Sequence, residues 1–138
     1  MTKRILVIED NPINLELITY LLRAFNYTVL TAVNGSEGVS LAKRERVDLI
    51  ICDVHLPRMD GYEVAGRLKE HPMLRRIPLV AVTALAMVGD REKVLDAGFD
   101  YYISKPITPD TFIKQIDELL NEEYRNRDSY GVKRERED

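Results

Sequence analysis

The stretch Leu49-Ile50-Ile51-Cys52-Asp53 does most to restrict what this chain can become. Its apolar residues run without a polar break and stop at a carboxylate. With Val47 and Asp48 ahead of it, Arg46 before those and Pro57 after, the run reads as a strand covered on both faces, the pattern of a parallel sheet. Other short apolar runs stop in the same way. Ile5-Leu6-Val7-Ile8 ends in Glu9-Asp10, Leu79-Val80-Ala81-Val82 in Thr83, and Asp100-Tyr101-Tyr102-Ile103 in Ser104-Lys105-Pro106. In a parallel α/β sheet the reactive groups gather outside the carboxyl ends of the strands. If these strands are parallel, three carboxylates, a hydroxyl and an ammonium meet at one edge.

Helical patterns fill the gaps. Asn11-Pro12 supplies an N-cap and a first helical residue, and Ile13, Leu17, Leu21, Leu22 and Phe25 follow at helical spacing until Asn26-Tyr27. Thr28 to Ala32 reads as the second strand, and Asn34 with Glu37 as a capping box for a second helix ending near Glu45. The third strand spans 48–52, and Asp60 and Glu63 cap a helix that runs to about His71. A strand over 79–82, a helix over 86–97 stopped by Gly98, and a strand over 99–103 come next. Thr108-Pro109-Asp110 opens the last helix, with Phe112, Ile116, Leu119 and Leu120 on one face. Five βα repeats predict a doubly wound α/β sheet of five parallel strands, with helices on both faces and right-handed crossovers.

Composition narrows the function. A length of 138 residues fits one domain, and a net charge of -3 argues against a protein that works by neutralising nucleic-acid phosphates. A single cysteine, Cys52, excludes an internal disulfide and suits a reducing compartment; it reads as a small core residue. No apolar run reaches the roughly eighteen residues of a membrane span, and Glu9-Asp10 follow the first strand too soon for a signal peptide. The expectation is a cytoplasmic protein that binds neither membrane nor nucleic acid directly. From Asn121 onward the chain holds six acids and five bases with few apolar residues, which predicts a helix end and a charged, disordered tail over 122–138. No second domain is expected after it.

The strand ends suggest a chemistry. Glu9 and Asp10 repel each other unless solvated or bound to metal, and with Asp53 they make a hard-oxygen set suited to Mg²⁺. A carboxylate such as Asp53 attacks phosphorus only when the charge of the incoming group is offset. Thr83 offers a hydroxyl donor and Lys105 an ammonium, and the Lys105-Pro106 bond is a candidate for the cis form. Taken singly, each has a plainer reading: a solvated acid pair, a turn-capping Asp, a helix-capping Thr, a surface Lys.

Taken together and in this order, the segments Ile5-Leu6-Val7-Ile8-Glu9-Asp10-Asn11, Asp53-Val54-His55-Leu56-Pro57-Arg58-Met59-Asp60-Gly61, Val82-Thr83-Ala84 and Lys105-Pro106 resemble the receiver domains of two-component response regulators. The resemblance covers about residues 3–121, so 1–121 is expected to be the receiver, of the stand-alone, single-domain type. It implies the flavodoxin-like strand order 2-1-3-4-5. It implies Asp53 as phosphoacceptor; Asp10, Glu9 and the His55 backbone carbonyl as further Mg²⁺ ligands; Thr83 and Lys105 gripping the phosphoryl group; and Tyr102 as the aromatic that turns inward with Thr83. Glu9 departs from the commoner aspartate, though the family uses both. The apolar segment Ala84-Leu85-Ala86-Met87-Val88-Gly89-Asp90 resembles receivers of hybrid kinases and stand-alone cell-cycle regulators.

The implied partners are a histidine kinase or histidine phosphotransfer protein, docking on early helix 1 at Pro12, Asn14 and Leu15, and a downstream protein on the face of helix 4, strand 5 and helix 5. Such a domain catalyses its own phosphorylation and its slow dephosphorylation. Other readings fit less well. A phosphohydrolase of the haloacid-dehalogenase type wants an acid two residues after the nucleophile, where this chain has His55. A nucleotide- or flavin-binding module wants glycines where Glu9-Asp10-Asn11-Pro12 stand. A scaffold that works without phosphorylation has no need of the filled reactive positions.

Overall fold

Period-two alternation along the strands sorts the apolar side chains into two cores, one on each side of the sheet. The computed structural model describes residues 2–84 and 89–126. Its elements are β1 (Arg4–Ile8), α1 (Pro12–Ala24), β2 (Thr28–Ala32), α2 (Gly35–Arg44), β3 (Leu49–Asp53), α3 (Gly61–Glu70), β4 (Leu79–Thr83), α4 (Asp90–Asp96), β5 (Tyr101–Ser104) and α5 (Pro109–Asn126). The strands are all parallel, in the order β2-β1-β3-β4-β5. Ile5, Val7, Leu49, Ile51, Val80 and Val82 share one core with Ile18 and Leu22 of α1 and Phe112 and Ile116 of α5. Their strand neighbours Leu6, Ile8, Ile50, Cys52 and Ala81 share the other with Val39 of α2, Val64 and Leu68 of α3 and Val94 of α4. Every residue of β3 and β4 is buried, which is why those segments show no polar alternation.

Side-chain caps fix where the helices begin, close to the carboxyl ends of the strands. Asn11 Oδ1 accepts the N–H groups of Ile13 and Asn14, Asn34 Oδ1 that of Glu37, and Asp60 Oδ1 that of Glu63. Each such cap is worth about 1 kcal/mol. The return bond of the α2 cap differs from the expected box: Glu37 Oε1 accepts from Val33, one residue before the cap.

Several boundaries depart from expectation. In α1 the buried face is Ile18, Leu21 and Leu22, whereas Ile13, Leu17 and Phe25 are exposed. The helix carries more apolar residues than the sheet covers, and residues 13, 17 and 20 lie on a line turned away from Ile18. Asp53 is the last residue of β3, because the Val54 N–H still reaches the Val82 carbonyl at 3.3 Å. β5 starts at Tyr101, not Phe99: Phe99 is buried below it, and the Asp100 carboxylate turns to accept the Leu79 N–H at 2.8 Å. The described part of α4 begins at Asp90; residues 85–88, including the expected helix start and most of the apolar segment, lie outside the described residues. α5 continues to Asn126, and the part of the expected 122–138 tail beyond it, 127–138, lies outside the described residues as well.

α5 is tied to the turn after α1 by the Tyr27 phenol, which donates to Asp117. Burial first, and the adjacent carboxylate second, push that phenol well above its ordinary pKa.

Candidate active site

Strand register brings the expected residues together. Ile8 pairs with Cys52 and Asp53 with Val82, so Glu9, the residue directly after β1, comes level with Asp53, and Thr83 lies one step beyond Val82. Thr83 pairs with Ser104, and the Lys105 N–H donates to the Thr83 carbonyl at 2.8 Å. Glu9, Asp53 and Thr83 are buried, while Asp10 is exposed at the rim. One carboxylate oxygen from each of Glu9, Asp10 and Asp53 falls in a group whose members lie within 4.8 Å of one another.

The charges do not balance within the protein. Lys105 Nζ stands 3.6 Å from Glu9 Oε1 and 3.5 Å from Asp53 Oδ2, distances that suit ion pairs more than hydrogen bonds. Glu9 Oε2 accepts the Asn11 N–H at 3.1 Å, but Oε1 is buried with no hydrogen-bond partner. Asp53 Oδ1 accepts the His55 N–H at 3.1 Å. Burial and the neighbouring Asp53 raise the Glu9 pKa to about 7, against the opposing pull of the Asn11 amide and Lys105. One ammonium cannot offset three carboxylates. A buried oxygen without a hydrogen bond, within an all-oxygen acidic cluster, is a donor set that fits Mg²⁺.

The other expected residues have clear places. The exposed His55 lies in the loop directly after Asp53, where its main chain, not its side chain, is close to the phosphoacceptor candidate. The Lys105–Pro106 bond is cis. Tyr102 is half-buried against the α2–α4 side of the core and also lines an open groove of about 420 Å³. Arg91, Tyr101, Pro106, Phe112 and Gln115 line the same groove. Cys52 is fully buried, and desolvation lifts its thiol well above the usual range. The sequence reading missed two contributors. Asn11 was seen only as a helix cap, yet its N–H is what orients Glu9. Arg91 gave no signal, because its place on the groove depends on how α4 packs.

A family model of the response regulator receiver domain matches residues 5–117. This chain belongs to that family. The receiver is 42% identical over 122 residues to the polar-differentiation response regulator DivK of Brucella anthropi, covering 88% of this chain and 99% of the relative. DivK of Brucella ovis is 41% identical over the same shares. Among solved structures, the receiver domain of a Pseudomonas aeruginosa sensor histidine kinase superposes with a TM-score of 0.81 at 35% identity, covering 88% of this chain and 99% of that one. That structure has a magnesium ion coordinated in its active-site cleft. A CheY-like receiver domain from Methanospirillum hungatei gives a TM-score of 0.83 at 30% identity, over 91% of this chain and 99% of its own. The receiver is thus a flavodoxin-like signalling domain whose acidic pocket fits Mg²⁺. No described helix is long and apolar enough to cross a membrane.

Proposed function

We infer that the receiver takes a phosphoryl group from a phosphohistidine onto Asp53. The observation that carries this reading is the Lys105 ammonium held between Glu9 and Asp53 beside Asp10, all at one sheet edge. An Asp53 oxygen attacks phosphorus, an O–P bond forms, and the N–P bond to the donor imidazole breaks. That nitrogen keeps the electron pair and takes up a proton. Glu9, Asp10, Asp53 and the His55 carbonyl would hold Mg²⁺, which when bound offsets the charge of the phosphoryl oxygens. Lys105 pairs with Asp53 at rest and with the phosphoryl group afterwards, and the Thr83 hydroxyl supplies a second donor. Hydrolysis reverses the gain: water attacks phosphorus, the O–P bond to Asp53 breaks, and inorganic phosphate leaves.

Two surfaces support a relay between proteins. α1 presents Ile13, 76% exposed, with Leu17 and Tyr20 on the same line, directly after the site residues Glu9 and Asp10. This suits a kinase or phosphotransfer protein, and it shifts the expected docking residues: Pro12 is exposed, but Asn14 and Leu15 are half-buried. The groove between α4, β5 and α5 contains Tyr102 and suits a downstream protein that reads the phosphorylated state. In this reading residues 1–121 form the working receiver unit, 122–138 extend it, and the protein acts in the cytoplasm.

The test is intact mass after incubation with acetyl phosphate, with and without Mg²⁺, for the wild type and Asp53→Asn. One added phosphoryl group in the wild type with Mg²⁺, and none in the variant, is the expected result. No gain from either acetyl phosphate or a phosphorylated histidine donor would leave a scaffold that works without phosphorylation.

A further inference from the structure

The sheet ends at β2 in an edge without charge. β2 and β5 are the outer strands of the order β2-β1-β3-β4-β5. Beside β5 stand Asp100, Lys105 and Pro106, residues of the kinds that stop a sheet from growing. Around β2 there are none. Residues 24–36 hold no charge and no proline, in a chain that is 31% charged. Phe25 and Val33, which flank the strand, are each 54% exposed.

The backbone of that edge is equally open. The Thr28 N–H donates to the Lys3 carbonyl at 2.9 Å, and the Ala32 carbonyl accepts the Glu9 N–H at 3.0 Å. Residues 28, 30 and 32 therefore aim their backbone groups at β1. Successive residues of a strand alternate, so Val29 and Thr31 aim theirs outward. On either side of this pair the outward donors are taken. The Tyr27 N–H donates to the Leu22 carbonyl at 3.1 Å, and the Val33 N–H to Glu37 Oε1 at 2.8 Å. Among the described residues, nothing pairs with the outward groups of Val29 and Thr31. Two donors and two acceptors are left on the edge.

We propose that β2 pairs with β2 of a second copy of this chain, antiparallel about a two-fold axis at Leu30. In that register Val29 of each copy faces Thr31 of the other and exchanges both backbone bonds with it, while Leu30 faces Leu30. Every outward donor and acceptor of both copies is then used. A register centred on Val29 or on Thr31 sets Thr31 against Tyr27, or Val29 against Val33, whose N–H groups are already engaged. Charge favours a second copy as the occupant. A two-fold axis sets a patch against itself, so a charged edge would meet its own sign, and this edge has no charge to oppose. Antiparallel strands bring the amino end of one to the carboxyl end of the other, so Phe25 of each copy reaches the Val33 end of its partner. The two sheets join into one, and their acidic sites lie at opposite rims.

The test is sedimentation equilibrium of the full chain between about 50 µM and about 1 mM, with amide exchange followed by NMR at both limits. Thr31→Pro removes an N–H that the fold does not use. Thr31→Lys keeps that N–H and puts an ammonium on the edge, so one variant serves if the other fails to fold. Met73→Ser, at an exposed apolar residue between α3 and β4, is the control. In the wild type and in Met73→Ser the average mass is expected to rise toward twice that of the monomer. Over the same range the Val29 and Thr31 amides are expected to slow by about tenfold, while Leu30, whose N–H is held by β1, hardly changes. Both Thr31 variants are expected to raise the dissociation constant by about tenfold or more. A monomer at every concentration would overturn the proposal. So would a dimer that the Thr31 variants leave intact, since it uses another face. Slow exchange of Val29 and Thr31 in a chain that stays monomeric would overturn it as well, because the edge is then covered from within one chain.

Discussion

Lys105 Nζ reaches to 3.5 Å from Asp53 Oδ2 although their strands are not neighbours: β4 lies between β3 and β5. The lysine crosses the end of β4, over Thr83, to arrive there. In the proposed reaction its ammonium has two opposed effects, attracting phosphoryl oxygens and repelling a metal cation. Lys105→Met is therefore expected to bind Mg²⁺ more tightly, by up to about tenfold, since a like charge is removed. The same variant should accept phosphoryl groups about a hundredfold more slowly, through loss of a donor aimed at the transferring group. Metal titration and acetyl phosphate kinetics on one preparation read both effects.

Glu9 makes the metal-free protein sensitive to pH. Its carboxyl titrates near 4.5 when unfolded and at about 7 in the fold. Between those values the folded form keeps a proton that the unfolded chain has lost, so stability from this group declines as pH rises through the window. Urea midpoints of metal-free protein should thus fall from about pH 5 to about pH 7, and Glu9→Gln should flatten that trend. Mg²⁺ needs the ionised carboxylate, so its affinity should weaken as pH drops below about 7, by up to about tenfold per unit.

Tyr27→Phe should lower stability by about 1–3 kcal/mol in urea unfolding, because Asp117 loses its donor in a partly buried place. Phosphorylation of Asp53 should be unaffected, since Tyr27 lies at the opposite edge of the sheet from the acids.

Cys52 should resist thiol reagents in the native state. It is fully buried, and its pKa is raised, so little thiolate is present or accessible. Labelling should follow the unfolding rate and increase with urea. Prompt labelling in buffer would contradict the packing of β3.

Much of this was legible in the residues. Apolar runs that stop at Glu9, Asp53 and Thr83 are strand ends because a parallel strand is apolar on both faces and its first polar residues come where the strand stops. Asn11, Asn34 and Asp60 announced their helices because a free N–H needs an acceptor. What escaped depends on distant partners. Lys69 and Asp100 look like ordinary surface charges until the fold sets α3 beside the start of β5, where they pair at 3.0 Å. Ile13 and Leu17 looked like core because the 3.6-residue period marks apolar residues without saying which of them the sheet covers. Phe99 and Asp100 look like strand, but Phe99 is buried below the sheet and the Asp100 carboxylate, in place of a backbone carbonyl, accepts the Leu79 N–H.

The distribution of the site along the chain also bears on how the protein is made. A ribosome delivers Glu9, Asp10 and Asp53 well before Lys105, the cation set against them. It delivers Ile5, Val7 and Ile18 long before Phe112 and Ile116, which close their side of the sheet. A nascent chain that has exposed β1 to β4 thus holds clustered acids without their counter-charge and a core lacking one wall. Both deficits end only when β5 and α5 emerge from the exit tunnel, so the domain completes its folding late, and its last quarter decides the outcome.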